Sequence, residues 1–284
     1  MSTARIVLLT SLAMIAFAGN SLLCRAALKG TAIDAASFTA IRLISGALVL
    51  GLIVGTTRGS VVGQGNWQTA FVLFIYAVAF SFAYAGLSAA TGALLLFVAV
   101  QATMISYGVW AGEQLSRLQV AGLLLALGGL TGLMLPGLAA PPIVSALLML
   151  SAGVAWGVYS LRGKRAGDPT KVTAGNFIRA ALIAAALSLF VLMRGSAAVD
   201  AAGFWYAVAS GALASGLGYV IWYSVLPALR ATTAATVQLS APVIAAFGGV
   251  MLLGESISLR LVLASVAILG GIALVILAKR AVAP

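Results

Sequence analysis

The sequence predicts an all-α integral membrane protein in which ten transmembrane helices form two inverted five-helix repeats. Three observations lead to this prediction: an apolar composition, ten apolar runs of membrane-crossing length, and a segment of the second half that repeats one in the first. Of the 284 residues, 63% are hydrophobic and only 7% are charged. Such a chain has too little polar surface to cover a soluble globule, so we expect it in a lipid bilayer.

The apolar runs are each roughly 20 residues long, the length that a helix needs to cross the hydrocarbon core. Lipid offers backbone groups no hydrogen-bond partner, and the runs lack strict alternation, so helices are favoured over a β-barrel. The predicted spans are 6–27, 35–55, 67–87, 91–112, 118–138, 142–161, 172–193, 202–226, 232–253 and 259–277.

Residues 87–135 and 229–277 share one layout, in which two apolar runs flank a short polar break. Their equal spacing indicates a tandem duplication, with a first five-helix repeat at 1–139 and a second at 140–284. The matching positions around the break are Gly112 and Gly254, Glu113 and Glu255, and Ser116 and Ser258.

The distribution of Lys and Arg predicts the orientation. With the N-terminus in the cytoplasm, the cytoplasmic side collects most basic residues, and the outer side keeps Lys29, Arg194 and Arg260, with Arg25 near it. We therefore expect a multi-pass protein of the cytoplasmic (inner) membrane with both termini cytoplasmic. Because each repeat has five helices, the two copies enter the membrane from opposite sides, a construction typical of secondary transporters with a site near the midplane.

The second break belongs to a longer signature, LSAPVIAAFGGVMLLGESIS, at residues 239–258. Pro242 lies within predicted helix nine, whereas Val100 stands at the matching position of the first copy. On this signature and the ten-helix layout, the chain resembles the EamA group of the drug/metabolite transporter superfamily over nearly its whole length. Within that group, its aromatic central helices look like the YddG-type exporters of aromatic and other amino acids.

Polar and aromatic side chains within the spans are the candidate substrate-binding residues, because burying polar groups in lipid without partners is unfavourable. Some occupy corresponding positions of the two repeats, as Tyr84 and Trp222 do, and these are expected on opposite walls of one cavity. The alternative is that the amides bond neighbouring helices and the aromatic rings fill space or anchor at the interface. The candidates are Asn20, Tyr76, Tyr84, Gln101, Trp156, Tyr159, Tyr219, Trp222 and Gln238.

Arg42 and Arg179 are also repeat-related, each about eight residues into its span. At about 1.5 Å per residue this depth is within reach of a long side chain from the interface. Either guanidinium could hold a substrate carboxylate through a bidentate contact. Alternatively, both brace the carbonyl groups of loops or helices, which is the interpretation favoured by the sequence.

The acidic residues constrain the mechanism. All five fall at predicted span ends, and the chain has no histidine. A proton-coupled pump usually needs a carboxylate or imidazole in its pathway, so we expect uncoupled facilitation or exchange; the alternatives are proton-coupled drug or metabolite efflux and a non-transporting receptor. Glu113 and Glu255 are predicted to form structural turns, with Ser116 and Ser258 as N-caps and Gln119 completing a capping box.

The absence of histidine and the small number of acidic residues also argue against enzymatic chemistry, which needs His, Asp, Glu or an activated Cys within mutual reach. We therefore expect no catalytic residue, metal site or cofactor. The net charge of +11 comes from scattered basic residues, without the basic stripe of a nucleic-acid-binding surface. The expected partners are a small-molecule substrate, an amino acid or related metabolite, and the lipid bilayer.

Small residues in helices five and ten predict close helix contact, either within one protomer or between the protomers of a homodimer. They are Gly128 and Gly132 in helix five and Ala267 and Gly271 in helix ten. The family resemblance implies a central cavity bounded mainly by helices one to four and six to nine, with helices five and ten outside it. It also implies alternating access, in which the two halves rock about the site.

Overall fold

A computed structural model describes residues 1–57, 59–112, 114–135, 137, 140–163, 167–229 and 237–278. Within these ranges the chain forms helices and no β-strand, which confirms the predicted fold class. Nine helices in the described residues are long and apolar enough to cross a membrane, and a tenth apolar helix is shorter. The protein is therefore a multi-pass membrane protein.

The helices are α1 (Thr3–Gly30), α2 (Ala35–Thr57), α3 (Trp67–Tyr84), α4 (Ala89–Trp110), α5 (Arg117–Met134), α6 (Ile143–Gly163), α7 (Pro169–Met193), α8 (Ala201–Ala228), α9 (Ser240–Leu253) and α10 (Leu259–Ala278). Each coincides with one predicted span. The predicted start of helix nine, at 232, lies outside the described residues. At the other ends the bounds differ by a few residues, since composition marks the hydrocarbon core more sharply than it marks the last helical turn.

Short polar side chains begin several helices. Asn66 accepts a hydrogen bond from the Thr69 backbone N–H at the start of α3. The predicted capping box at α5 is confirmed: Gln119 N–H donates to Ser116 Oγ at 3.3 Å, and Ser116 N–H donates to Gln119 Oε1 at 2.8 Å. Such caps satisfy backbone N–H groups that have no partner within the helix.

Contacts between distant loops define the two ends of the bundle. At one end, here called the Glu255 end, Asp34 N–H donates to the Ala198 carbonyl at 2.9 Å and Glu255 meets α1. At the other, here called the Gln64 end, Arg179 Nη1 donates to the Gln64 carbonyl at 2.6 Å. Successive helices run between these ends in alternating directions.

Helices α5 and α10 pack closely against each other through small residues. A Cβ added to Gly122 would lie 2.6 Å from the Gly271 carbonyl oxygen, and one added to Gly129 would lie 2.8 Å from the Cβ of Ala267. The prediction of close contact at Ala267 and Gly271 is thus confirmed within one chain. On α5, however, Gly122 and Gly129 make this contact, and a Cβ at Gly128 or Gly132 would have no atom of another described helix within 4 Å.

The outer surface of the bundle is apolar. Leu52 is 67% exposed and Val266 is 68% exposed, while many buried positions hold alanine. Large apolar side chains outside and small ones between the helices suit a protein whose surroundings are hydrocarbon, because small residues let helix backbones approach.

Candidate functional site

A cavity of about 470 Å³ lies at the Gln64 end of the bundle. Its volume is typical of a site for a small molecule, and the described residues that line it include no charged side chain. Helices α5 and α10 contribute none of them. The lining residues are Phe17, Met104, Trp156, Ser160, Gly163, Pro169, Tyr219, Trp222, Tyr223, Leu226, Pro227, Leu229 and Gln238.

Three aromatic side chains, Phe17, Trp156 and Tyr219, line both this cavity and a smaller chamber further from the Gln64 end. We call them the aromatic partition. The Trp156 ring lies 5.0 Å from that of Tyr219, and the Phe17 ring meets Tyr219 edge-on at 6.0 Å. Such tilted and edge-on pairs are the favourable arrangements of aromatic rings. In this conformation the partition separates the open cavity from the chamber.

The chamber has a volume of about 20 Å³, enough for about one water molecule. It is therefore too small for a metabolite in this conformation. Its lining residues are Phe17, Asn20, Tyr76, Phe80, Leu96, Phe97, Trp156, Ala214 and Tyr219.

A chain of hydrogen bonds crosses the polar side of this chamber. Ser210 Oγ donates to Asn20 Oδ1 at 2.6 Å, and Asn20 Nδ2 donates to the Tyr76 hydroxyl oxygen at 3.3 Å. Arg42 Nη2 donates to the same oxygen at 3.0 Å. These contacts join α8, α1, α3 and α2, so one polar network fixes four helices around the chamber.

Arg42 is buried, with 1% of its surface exposed. Its Cζ lies 4.8 Å from the centre of the Phe80 ring and 5.2 Å from that of Tyr76, in cation–π range. Nε donates to Ser215 Oγ at 3.4 Å, whereas Nη1 has no hydrogen-bond partner among the described residues. The guanidinium is thus held by neutral groups and keeps unused donor capacity.

Helix α8 reaches this network through an unusual local geometry. Between two α-helical parts it winds as a π-helix over Ser210–Leu217, a geometry that is frequent at functional sites. This segment supplies Ser210, Ala214 and Ser215 to the network and the chamber. A Cβ on Gly211 would lie 2.0 Å from the Arg42 carbonyl oxygen, so only glycine permits α8 to approach α2 this closely.

The structure brings most of the sequence candidates together. Asn20, Tyr76, Trp156 and Tyr219 line the chamber, and Trp222 and Gln238 line the cavity. Tyr159 stacks on Trp156 at 5.5 Å and, together with Arg162 and Asn176, lines an adjoining pocket of about 350 Å³ that shares Gly163, Pro169 and Tyr223 with the cavity.

Two further candidates, Tyr84 and Gln101, line none of these three spaces. Tyr84 is fully buried and packs edge-on against Phe80 at 4.8 Å, and its ring occupies the space that a Cβ on Gly92 would need. Tyr84 therefore does not face Trp222 across a cavity. This differs from the prediction made from the repeat, which placed the two side chains on opposite walls. Gln101 is buried on α4 with Nε2 unpartnered among the described residues, but it is absent from the linings of the cavity and the chamber.

Arg42 and Arg179 differ in surroundings despite their matching positions. Arg179 Nη1 donates to the carbonyl oxygens of Gln64 and Gly175 at 2.6 and 2.8 Å, and its Cζ lies 5.9 Å from the centre of the Trp67 ring. These contacts agree with the alternative in which the arginine braces the carbonyl groups of loops or helices. Arg42 instead reaches the wall of the chamber.

The break at Gly254 is a turn, with Gly254 in the left-handed region at φ 61°. The Glu255 carboxylate extends beyond that turn: Oε1 accepts from Arg25 Nε at 2.9 Å, and Oε2 accepts from the Ala89 backbone N–H at 2.8 Å. It thereby ties the α9–α10 turn to α1 and to the start of α4. The matching Glu113 lies outside the described residues.

Several residues were not predicted from the sequence. Phe80 lines the chamber, Ser210 and Ser215 bond the polar network beside it, and Arg25 pairs with Glu255 at the Glu255 end. The small residues Ser215, Gly216 and Gly218, which interrupt predicted helix eight, were the signal available for Ser215. Arg25 and Glu255 carried no such signal, because they lie 230 residues apart.

A model of the EamA-like transporter family matches residues 143–277. The uncharacterized protein PA1977 of Pseudomonas aeruginosa is 57% identical over 273 residues, which are 96% of this chain and 94% of that protein. The uncharacterized transporter YoaV of Bacillus subtilis is 24% identical over 250 residues, 83% of this chain and 85% of that protein. One solved crystal structure, 22% identical, has the same fold with a TM-score of 0.68, covering 99% of this chain and 100% of that one.

Proposed function

We propose that this chain, whose residues 143–277 match the EamA-like transporter family, exports amino acids with aromatic or other apolar side chains, or closely related metabolites, across the cytoplasmic membrane. The observation that carries this proposal is the cavity of about 470 Å³, whose aromatic partition meets a small polar chamber. An apolar side chain fits the aromatic walls through ring packing, and the polar end of an amino acid fits Asn20 and Tyr76, which line the chamber.

The proposed alternating access is supported by a difference between the two ends of the bundle. The cavity is lined by residues of the Gln64 end, such as Gly163 and Leu229, while Arg25 and Glu255 close the Glu255 end. If both termini are cytoplasmic, as the distribution of Lys and Arg indicates, this conformation faces inward. Residues 1–139 and 140–284 are the proposed inverted repeats that rock about the partition to open the other end.

The proposed transport is uncoupled. The described residues that line the cavity and the chamber contain no carboxylate, and the chain contains no histidine. Substrate then moves down its own gradient or exchanges with a second molecule. A proton-driven transporter would need an ionisable group on this route.

The experiment is counterflow in proteoliposomes. The purified protein is reconstituted with unlabelled phenylalanine inside, and entry of labelled phenylalanine is followed with and without an imposed pH gradient. We expect counterflow that the pH gradient leaves unchanged. Accumulation of label against its own gradient, driven by protons alone, would favour proton-coupled efflux. Absence of flux for every amino acid and related metabolite would favour a non-transporting receptor.

A further inference from the structure

We propose that Arg42 binds the carboxylate of the transported molecule and so restricts the substrates to compounds that carry such a group. This inference rests on the proposed function and deepens it. It starts from the observation that the Arg42 guanidinium is buried without an acidic partner among the described residues. A buried cation is unfavourable unless an anion or several hydrogen bonds compensate it.

The described acidic side chains are all engaged elsewhere. Asp34 accepts hydrogen bonds in the α1–α2 loop, and Asp168 and Asp200 cap α7 and α8. Glu255 pairs with Arg25, the one ion pair within the described part of the chain. The described groups that contact the Arg42 guanidinium are therefore neutral. They are the hydroxyl oxygens of Tyr76 and Ser215 and the ring faces of Tyr76 and Phe80.

Two donors remain available at the same point of the network. The first is Arg42 Nη1, which is buried and unpartnered among the described residues. The second is the Tyr76 hydroxyl, whose oxygen already accepts from Arg42 Nη2 and Asn20 Nδ2, so that its own hydrogen is left to donate. A carboxylate offers two acceptor oxygens and a negative charge, which these two donors complement.

The route to these donors passes the aromatic partition. Tyr76 lines the chamber directly, and Arg42 lies against the rings of Tyr76 and Phe80, which form its wall. A carboxylate enters when Phe17, Trp156 and Tyr219 move apart, while the apolar side chain stays between these rings. The polar end of the substrate then points away from the Gln64 end.

Competition against labelled phenylalanine uptake tests this orientation in the wild-type protein. The competitors are phenylalanine, 3-phenylpropionate, which keeps the carboxylate without the amine, and phenylalaninamide and phenethylamine, which lack the carboxylate. We expect the two acids to compete at least about tenfold better than the other two, the ratio that a charge-assisted hydrogen bond supplies. Equal competition by all four overturns the role of Arg42 and leaves amino acid transport standing, whereas absence of phenylalanine flux rejects the proposed function itself.

Variants then show which residue causes the preference for competitors that carry a carboxylate. Arg42→Gln should abolish the preference for acids, Arg42→Lys should retain part of it, and the matched Arg179→Gln should keep it, because Arg179 binds loop carbonyls. If Arg42→Gln does not fold, Tyr76→Phe removes the second donor and should lower the preference several-fold. An unchanged preference in either variant overturns the assignment.

A free inorganic anion is the other possible source of negative charge at Arg42. Uptake measured with methanesulfonate, which is not a carboxylate, in place of chloride separates the two. A loss of uptake on chloride removal, together with equal competition by acid and amide, would mean that Arg42 holds chloride. The proposal expects uptake to be independent of chloride.

Discussion

Arg25 Nε and Glu255 Oε1 form an ion pair of 2.9 Å in which the side chains are only 12% and 7% exposed. Arg25 Nη1 also donates to the Tyr84 carbonyl at 2.9 Å, and Glu255 Oε2 accepts from the Ala89 backbone N–H. The pair therefore holds α1, the α3–α4 connection and the α9–α10 turn together. In alternating access this contact must separate before the Glu255 end opens.

Removing one member of the pair should open that end more often. In Glu255→Gln the buried Arg25 loses its counter-charge, at a cost of about 3–5 kcal/mol for a buried pair. We expect a longer mean distance between spin labels at Ala85→Cys and Ser256→Cys, measured by electron paramagnetic resonance. Arg260→Gln is the control at the same end, since Arg260 binds the Gly132 carbonyl of α5. Unchanged distances in Glu255→Gln would exclude a closing role for the pair.

Trp156→Ala should reduce transport by at least about tenfold with little loss of folded protein, because Trp156 lines both the cavity and the chamber. Trp156→Phe, which keeps a ring, should retain much of the flux. Both are measured as counterflow per amount of monodisperse protein. Full activity of Trp156→Ala would place the substrate route elsewhere.

Tyr84→Ala should act differently, although the sequence placed Tyr84 with the same candidates. Its ring is fully buried against Phe80 and Gly92, so truncation leaves a void that costs about 3–5 kcal/mol. We expect a lower unfolding temperature in detergent, whereas the apparent affinity of the remaining folded protein is unchanged. A normal unfolding temperature with weakened affinity would instead return Tyr84 to the binding site.

Gly211→Ala should prevent normal packing of α8 on α2. The added Cβ would lie 2.0 Å from the Arg42 carbonyl oxygen and 2.1 Å from Ser45 Oγ, so the backbones must separate. The expected result is loss of monodisperse protein or of its thermal transition. Gly51→Ala is the matched control on α2, because nothing lies within 4 Å of its Cβ and alanine favours helix by up to about 1 kcal/mol.

Asp34 should contribute pH-dependent stability at the Glu255 end. Burial raises the pKa of its carboxyl, but hydrogen bonds from the Ser37 hydroxyl and from the Ala198, Ser37 and Ala36 backbone N–H groups outweigh burial and lower the pKa below 3.8. A lowered pKa in the folded state means that this stability is complete above the unfolded pKa and is lost as pH falls through the folded pKa. The gap in unfolding temperature between wild type and Asp34→Asn should therefore be constant from neutral pH to about 5 and shrink below about 4. A gap that persists at pH 2 would contradict this assignment.

The positions of the spans could be predicted because lipid imposes a minimum apolar length on every crossing helix. The candidates Asn20, Tyr76, Trp156 and Tyr219 could be selected for a related reason, since polar or amphipathic side chains in mid-span need partners. Which of these side chains are neighbours in space could not be predicted from their spacing in the sequence. Asn20, for example, bonds Ser210, which is 190 residues away, and only the crossing of α8 over α1 brings the two together.

Repeat symmetry predicted equivalent positions but not equivalent surroundings. Arg42 and Arg179 match in the sequence, yet one lies beside the chamber and the other binds the carbonyls of Gln64 and Gly175. An open end and a closed end cannot give two matched residues the same neighbours. The inverted relation between residues 1–139 and 140–284 itself remains a prediction.

The π-helix of α8 has a consequence for insertions and deletions. Its turns contain more residues than α turns, so the residues beyond it are rotated relative to a continuous α-helix. Tyr219 and Trp222 owe their orientation toward the cavity to that offset, while Ser210 stays at the chamber. Deleting one residue between 211 and 217 would remove that extra residue, so the helix would relax to regular winding and both rings would keep their orientation, whereas inserting one residue would turn both rings by about 100°, one residue step of an α-helix.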